Sequence, residues 1–279
     1  MFKIRNAEYN DIALFLKWAE NEGWNPGLND IDPFFSCDEN GFFIGELDGK
    51  PICCISAVSY GDDYGFIGFY IVLPEYRGKG YGYRIWKNAM DNLKGRNVGL
   101  DGVVEQQPNY KKSGFVLKHK NIRYRGISKK KNVVNVNISL INRTETDKVI
   151  EYDERIFGCR RDSFLNKWLN MDQSVSLIYK NTEGIKGYST IRKCHEGYKI
   201  GPLFADNEGI AIALADCIFD AVPEDSVYFL DIPQNNESIN NLINRYSLQY
   251  VFETARMYTE TYPVMDVTKC FGVTTFELG

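Results

Sequence analysis

Histidine is scarce in this chain. Two residues in 279, His119 and His195, cannot build a typical zinc site, and no His-x-x-x-His spacing occurs. The seven cysteines form no Cys-x-x-Cys pair and are odd in number. They are expected to be reduced, mostly buried thiols in the cytoplasm, and no metal cofactor is expected. No apolar run approaches the roughly 18 residues a membrane span needs. Met1-Phe2-Lys3-Ile4-Arg5 alternates as a strand does, with no apolar stretch behind it, so no signal peptide is expected. Excess charge is missing too. At a net −4 the chain does not suggest general nucleic-acid binding. The basic runs Lys118 to Arg125 and Lys129-Lys130-Lys131 suit a solvated face and a linker.

What is present builds a core. Hydrophobic residues make up 44% and aromatics 14%, which excludes disorder, and the length suits one large or two ordinary domains. The most informative stretch is Arg77-Gly78-Lys79-Gly80-Tyr81-Gly82. It follows an apolar run, Phe66 to Leu73, through a Pro74-Glu75-Tyr76 turn. It opens a helical pattern in which Ile85, Trp86, Ala89, Met90 and Leu93 share one face. Strand, glycine turn and helix start together bind a diphosphate: glycines let the backbone approach, and the helix start offers unpaired N–H groups and partial positive charge. A kinase-type loop would need Ser or Thr after Gly78-Lys79, where Gly80 stands. A dinucleotide fingerprint would need glycine where Tyr83 stands, although Asp101 lies at about its expected spacing of roughly 20 residues.

The order of elements is also legible. A strand at 2–5 precedes a helix through Ile12, Leu14, Phe15, Trp18 and Ala19. A polar loop, Asn21 to Asp30, follows. Phe42 to Leu47 and Ile52 to Ser59 form a hairpin across Asp48-Gly49. The strand before the glycine loop, the long helix, a strand at Val98 to Asp101, a short helix ending at Ser113-Gly114 and a final strand from Phe115 to Gly126 complete this half. A similar order recurs after 137: strands at 174–179, 185–193 and 198–204, a helix from Ala211, a strand at 227–232, a helix from Ile239 and a strand from Tyr250.

The segment Val72 to Gly82 resembles the pyrophosphate-cradling Arg-x-x-Gly-x-Gly signature of the GNAT (Gcn5-related N-acetyltransferase) superfamily, and the order of elements resembles its topology. Strings spread over the chain resemble the tandem YitH-like subgroup: Glu22 to Gly27, Tyr152 to Gly158, Gly201 to Asp206, Arg256-Met257-Tyr258 and Phe271 to Gly279. The implied fold is α/β (α+β), with two tandem GNAT-like domains, each a mixed, mostly antiparallel sheet flanked by helices. Residues 1–128 would carry the acetyl-CoA loop, 129–136 a linker, and 137–279 a degenerate second copy. In that copy Asp206 stands where Arg77 does, and Gly209 and Ala211 stand where Gly80 and Gly82 do. A carboxylate at 206 would repel a diphosphate.

The resemblance implies transfer of an acetyl group from acetyl-CoA to a primary amine. Backbone groups of Tyr70, Ile71 and Val72 would polarise the thioester, with Arg77, Gly78, Lys79, Gly80, Tyr81 and Gly82 around the diphosphate. Tyr110, four residues before Gly114-Phe115, matches the family's general acid at the thiolate. The family's glutamate on the fourth strand has no counterpart between Gly65 and Val72. Asp101 is the substitute base, with Glu105 second, and either could instead cap the next helix. Trp24 and Asn25, with Asp30 or Asp32, would receive a cationic amine. The acceptor stays open among small amines, amino acids, aminoglycosides, polyamines and protein N-termini. The alternative is a CoA or acyl-CoA sensor without turnover.

Overall fold

The computed structural model describes residues 1–236, 239–260 and 265–279. β1 (Phe2–Asn6) leads to α1 (Ile12–Asn21), which buries Ile12, Phe15, Leu16, Trp18 and Ala19. α2 (Ile31–Cys37) follows. β2 (Phe42–Leu47) and β3 (Lys50–Tyr60) form the expected hairpin. Its turn residues Asp48 and Gly49 sit at φ 51° and 82°, the left-handed pair that a two-residue hairpin turn requires. β4 (Tyr64–Val72), α3 (Tyr81–Asn92), β5 (Asn97–Val103), α4 (Gln107–Lys112) and β6 (Val116–Ile127) end the first half.

The second half runs β7 (Ile138–Leu140), α5 (Thr146–Phe157), α6 (Asp162–Trp168), β8 (Ser174–Asn181), β9 (Gly184–Lys193) and β10 (Tyr198–Ala205). It continues with α7 (Glu208–Phe219), β11 (Val227–Pro233), α8 (Ile239–Arg245), β12 (Gln249–Tyr258) and β13 (Cys270–Gly272).

Among the described residues the strands form one sheet, ordered β1-β2-β3-β4-β5-β12-β6-β11-β10-β9-β8-β7, with β13 against β10. Within it only β4–β5 and β10–β11 run parallel. The order is symmetric about the β12–β6 seam, because the halves exchange their last strands. β6, expected to close the first half, pairs with β11 from Ile127↔Val227 to Asn121↔Pro233. β12 takes the place beside β5, from Thr254↔Val103 to Tyr258↔Gly99. Helices α1, α2, α5 and α6 share one core on one face, where Phe34 and Trp168 stack at 6.2 Å across the halves. α3 covers the other face of the first half, and α7 and α8 pack on the second half.

Buried ion pairs tie down the exchanged strands. Arg123 donates to both oxygens of Asp231 at 2.7 Å, and Arg256 reaches Asp101 at 2.8 and 2.5 Å. Such pairs add little net stability, but a slip in register would leave both charges unpaired in the core.

The two parallel pairs both open partway. β4 and β5 pair only from Tyr64↔Asn97 to Ile67↔Leu100. Just beyond, the β3–β4 register shifts, and Phe69 adopts φ 46°, a left-handed bulge unusual for an aromatic residue. The Cys54 thiol donates to the bulged Phe69 carbonyl at 3.3 Å. β10 and β11 pair only from Tyr198↔Tyr228 to Ile200↔Leu230. Here β13 fills the opening, with Leu203↔Gly272 and Phe204↔Cys270.

The chain after β13 stays buried through Gly279 and crosses both openings. A Cβ on Gly201 would lie 2.4 Å from the Thr274 carbonyl oxygen, and one on Gly68 would lie 1.9 Å from that of Glu277. Arg161 donates to the Thr274 hydroxyl at 2.8 Å, and the Tyr60 hydroxyl donates to the Leu278 carbonyl at 2.7 Å.

His119, on β6, is buried, and its Nε2 finds no partner among the described residues. Burial, reinforced by the Arg256 guanidinium, pushes its imidazole down to about 3 from 6.5. The folded protein therefore keeps His119 neutral while the unfolded chain protonates it below its ordinary value. Stability is lost as pH falls through that window, by up to about 1.4 kcal/mol per pH unit. We expect His119→Gln to flatten this part of the stability curve relative to the parent, measured by urea unfolding at several acidic pH values. An unchanged slope would remove His119 from the acid response.

Candidate active site

A cavity of about 540 Å³ occupies the opening between β4 and β5. Its first-half wall is the backbone from Ile67 to Val72, the glycine loop, Trp86, the end of β5 and Tyr110. Trp24 closes one side. The second half supplies Phe252 and Thr254 from β12, and Phe276 and Glu277 from the terminal tail.

The glycine loop is shaped to receive an anion. Gly78 and Gly80 lie at φ 72° and 83°, and a Cβ built on either meets nothing within 4 Å, so the loop faces open space. Gly80 caps α3, whose first internal bond runs from Arg84 N–H to the Gly80 carbonyl at 3.2 Å. The earlier N–H groups of the turn have no intrahelical acceptor and sit at the positive end of the helix dipole. A Cβ on Gly82 would come within 2.8 Å of the Tyr70 hydroxyl, so that glycine lets α3 lie close to β4. Arg77 donates from Nε to the Val72 carbonyl at 2.7 Å and pairs with Glu22. Lys79 bonds the Glu75 carbonyl at 2.8 Å, and the Tyr81 ring packs on Phe2 at 4.9 Å. The loop offers backbone N–H groups to an anion with Arg77 on the cavity wall beside them, while Lys79 and Tyr81 do not line the cavity.

Tyr70, Ile71 and Val72 line the cavity beyond the last β4–β5 pair, so β5 no longer covers that side of their backbone. Tyr110 also lines the cavity. Its ring lies against Trp86 at 5.5 Å and close to Gly102, where a Cβ would come within 2.2 Å of it. Burial, with Tyr70 nearby, raises its phenol well above the usual range, so it holds its proton.

Asp101 touches the cavity, but its side chain is fully buried and its lone pairs are engaged. Besides the two Arg256 bonds it accepts from Asn121 at 2.7 Å. Burial raises its carboxyl, against the pull of Arg256 and Asn121. This is the geometry of a counter-ion to Arg256, not of a free base. Glu105 is exposed and off the wall.

Of the expected acceptor residues, Trp24 faces the cavity, and Asn25 and Asp30 do not. Asn25 exchanges hydrogen bonds with the backbone of Glu196, both at 2.9 Å. Asp30, 1% exposed, accepts from Gly27 N–H at 2.7 Å and pairs with Arg192 at 3.0 Å. Leu28 N–H donates to the Lys193 carbonyl at 3.0 Å. Arg123 and Lys199 both donate to the Trp24 carbonyl at 2.9 Å. These contacts staple the loop to the second half and leave the Trp24 ring in the cavity. Asp32, bonded by the Tyr9 hydroxyl, lies on a different groove.

The matching place in the second half is built differently. Asp206 faces Lys269 at 3.3 Å and Lys186 at 3.8 Å and accepts from the Tyr152 hydroxyl at 3.2 Å. The Asn207 side chain caps α7 by accepting from Ile210 N–H at 3.1 Å. The strand opening beside it holds β13.

Sequence reasoning missed Phe252, Phe276 and Glu277, which reach the cavity from the far end of the chain. Gly68 was the available signal, since a glycine inside a bulky strand marks a close backbone approach.

Parallel strands that part beside a glycine-lined helix start are an architecture this chain shares with acyltransferases. The chain belongs to the GNAT acetyltransferase family. Residues 8–115 match the acetyltransferase (GNAT) family and residues 149–272 match an acetyltransferase (GNAT) domain. The holothin acyltransferase of Pseudoalteromonas sp. (strain SANK 73390) is 34% identical over 273 residues, which is 98% of this chain and 93% of that protein. A putative acetyltransferase from Pyrococcus horikoshii has the same fold at TM-score 0.85 and 21% identity, covering 100% of this chain and 96% of that one. A tandem GNAT protein from the clavulanic acid biosynthesis pathway aligns at TM-score 0.63 and 11% identity, over 94% and 100% of the two chains. No helix among the described residues is long and apolar enough to cross a membrane.

The contrast between the halves yields a paired test. We expect Gly80→Glu to abolish acetyl-CoA binding, through strain at φ 83° and charge against the diphosphate, while Gly209→Glu leaves it intact. Calorimetry on both folded variants checks this. Loss of binding in Gly209→Glu would place a binding function in the second half.

Proposed function

We propose that the protein transfers an acetyl group from acetyl-CoA to a primary amine by direct attack, in a single site formed on residues 1–128. Residues 129–136 then serve as the linker, and 137–279 as a second copy that shapes the site without binding donor. The observation that carries this reading is the asymmetry of two equivalent strand openings. One is an open cavity with a glycine loop at its mouth, and the other is filled by β13.

The backbone at Tyr70 to Val72 would hydrogen-bond the thioester oxygen as negative charge develops there. Tyr110, kept protonated by burial, would donate to the departing thiolate. The acceptor would lie among Trp24, Phe252 and Phe276, aromatic surfaces suited to an amine carried on an apolar or planar body. The seven free thiols support a cytoplasmic setting. Holothin, after which the bacterial relative is named, heads the acceptors to assay.

Calorimetric titration with acetyl-CoA should show one site per chain. Two sites would contradict the silent second half, and no binding would remove the donor. Tyr110→Phe should lower kcat by about 10²-fold or more with acetyl-CoA affinity little changed. Unchanged turnover would take Tyr110 out of the reaction.

A further inference from the structure

Acyl transfer to an alkyl amine needs a group that removes a proton from the ammonium, and β4 offers no carboxylate for it. Asp101 is bound by three donors. Glu277 also lines the cavity, and among the described residues no hydrogen bond or ion pair engages its carboxylate. Its backbone lies directly against Gly68, at the start of the stretch where β4 leaves β5. The tail thus sets Glu277 against the strand that has no carboxylate of its own.

We propose that Glu277 is the general base for the acceptor amine; this rests on the amine-acylation reading above. The acceptor ammonium gives one proton to the Glu277 carboxylate. The freed nitrogen lone pair forms the C–N bond to the thioester carbonyl carbon, and the carbonyl π pair moves onto oxygen. As the carbonyl re-forms, the C–S bond breaks with its electron pair on sulfur, and the thiolate takes the Tyr110 proton. The second proton on nitrogen restores Tyr110, and Glu277 passes its proton to solvent. Ammonium and thioester become amide, thiol and one free proton.

Cationic side chains stand near this carboxylate. Arg123, Arg192 and Lys199 lie close enough for Glu277 to favour their charged forms. Arg123 and Arg192 already have Asp231 and Asp30 as partners. Glu277 is thus the third anion for three cations, and its carboxylate stays near them without being gripped by any.

The test compares two acceptors of similar shape, benzylamine, an ammonium at neutral pH, and aniline, already neutral there. Thiol release from acetyl-CoA gives kcat/KM for each. In Glu277→Gln the ratio of benzylamine to aniline should fall by about 10²-fold or more, because only benzylamine needs the base. Glu277→Asp should recover part of that ratio, and it serves alone if Glu277→Gln does not fold. An unchanged ratio in both variants would overturn the role of Glu277 while leaving the acetyltransferase reading standing. A parent enzyme that binds acetyl-CoA yet acylates neither these amines nor holothin would overturn the amine reading and the base with it.

Discussion

The antiparallel pairing of β6 with β12 is the constraint on which the rest of the molecule depends. It joins two half-sheets into one and places each half's last strand inside the other. β12 reaches β5 only because β6 has crossed to β11, and from β12 come Phe252 and Thr254 in the cavity wall. The buried pairs Arg123–Asp231 and Arg256–Asp101 tie this exchange to a single register. Asp101 therefore has structural work at the seam, and the cavity borrows only its surface.

The same logic governs the loop that carries Trp24. A loop of its length, rich in Gly, Asn and Asp, would be mobile on its own. Here Asn25, Leu28 and Asp30 are held by second-half groups, and the Trp24 carbonyl is gripped from two sides. The polar residues of the loop are thereby used on the scaffold, and the aromatic ring is left for the cavity. The second half supplies part of the cavity wall and the anchors of this loop, through β12, Arg192, Glu196 and residues 276–277.

Much of this was legible in the sequence, for physical reasons. Glycines at 78 and 80 announce left-handed backbone, and the apolar face of α3 follows from its spacing. The hairpin turn at Asp48-Gly49 and both sets of strands follow in the same way. What escaped was non-local. Periodicity says nothing about which half a strand will join, so β6 reads as an ordinary closing strand. Helices α2 and α6 span seven residues each, too short to show a clear apolar stripe, whereas α5 buries one face, through Val149, Ile150, Ile156 and Phe157, whose spacing the sequence did carry. Asn25 and Asp30 look like ligands for a cation because their partners, the Glu196 backbone and Arg192, lie more than 160 residues away. Glu277 was invisible because its meaning depends on Gly68, at the other end of the chain.

The close contact between Gly68 and the Glu277 backbone also orders events during synthesis. Domains usually fold as they leave the ribosome, N-terminal first. Here the glycine loop, Tyr110 and the β4 bulge are made early, yet their cavity has no far wall until β12 and the tail have emerged. Until then Gly68 and the free flank of β5 lie uncovered, the kind of unpaired strand surface that chaperones shield. The cavity thus stays unfinished until residues 252–277 are made.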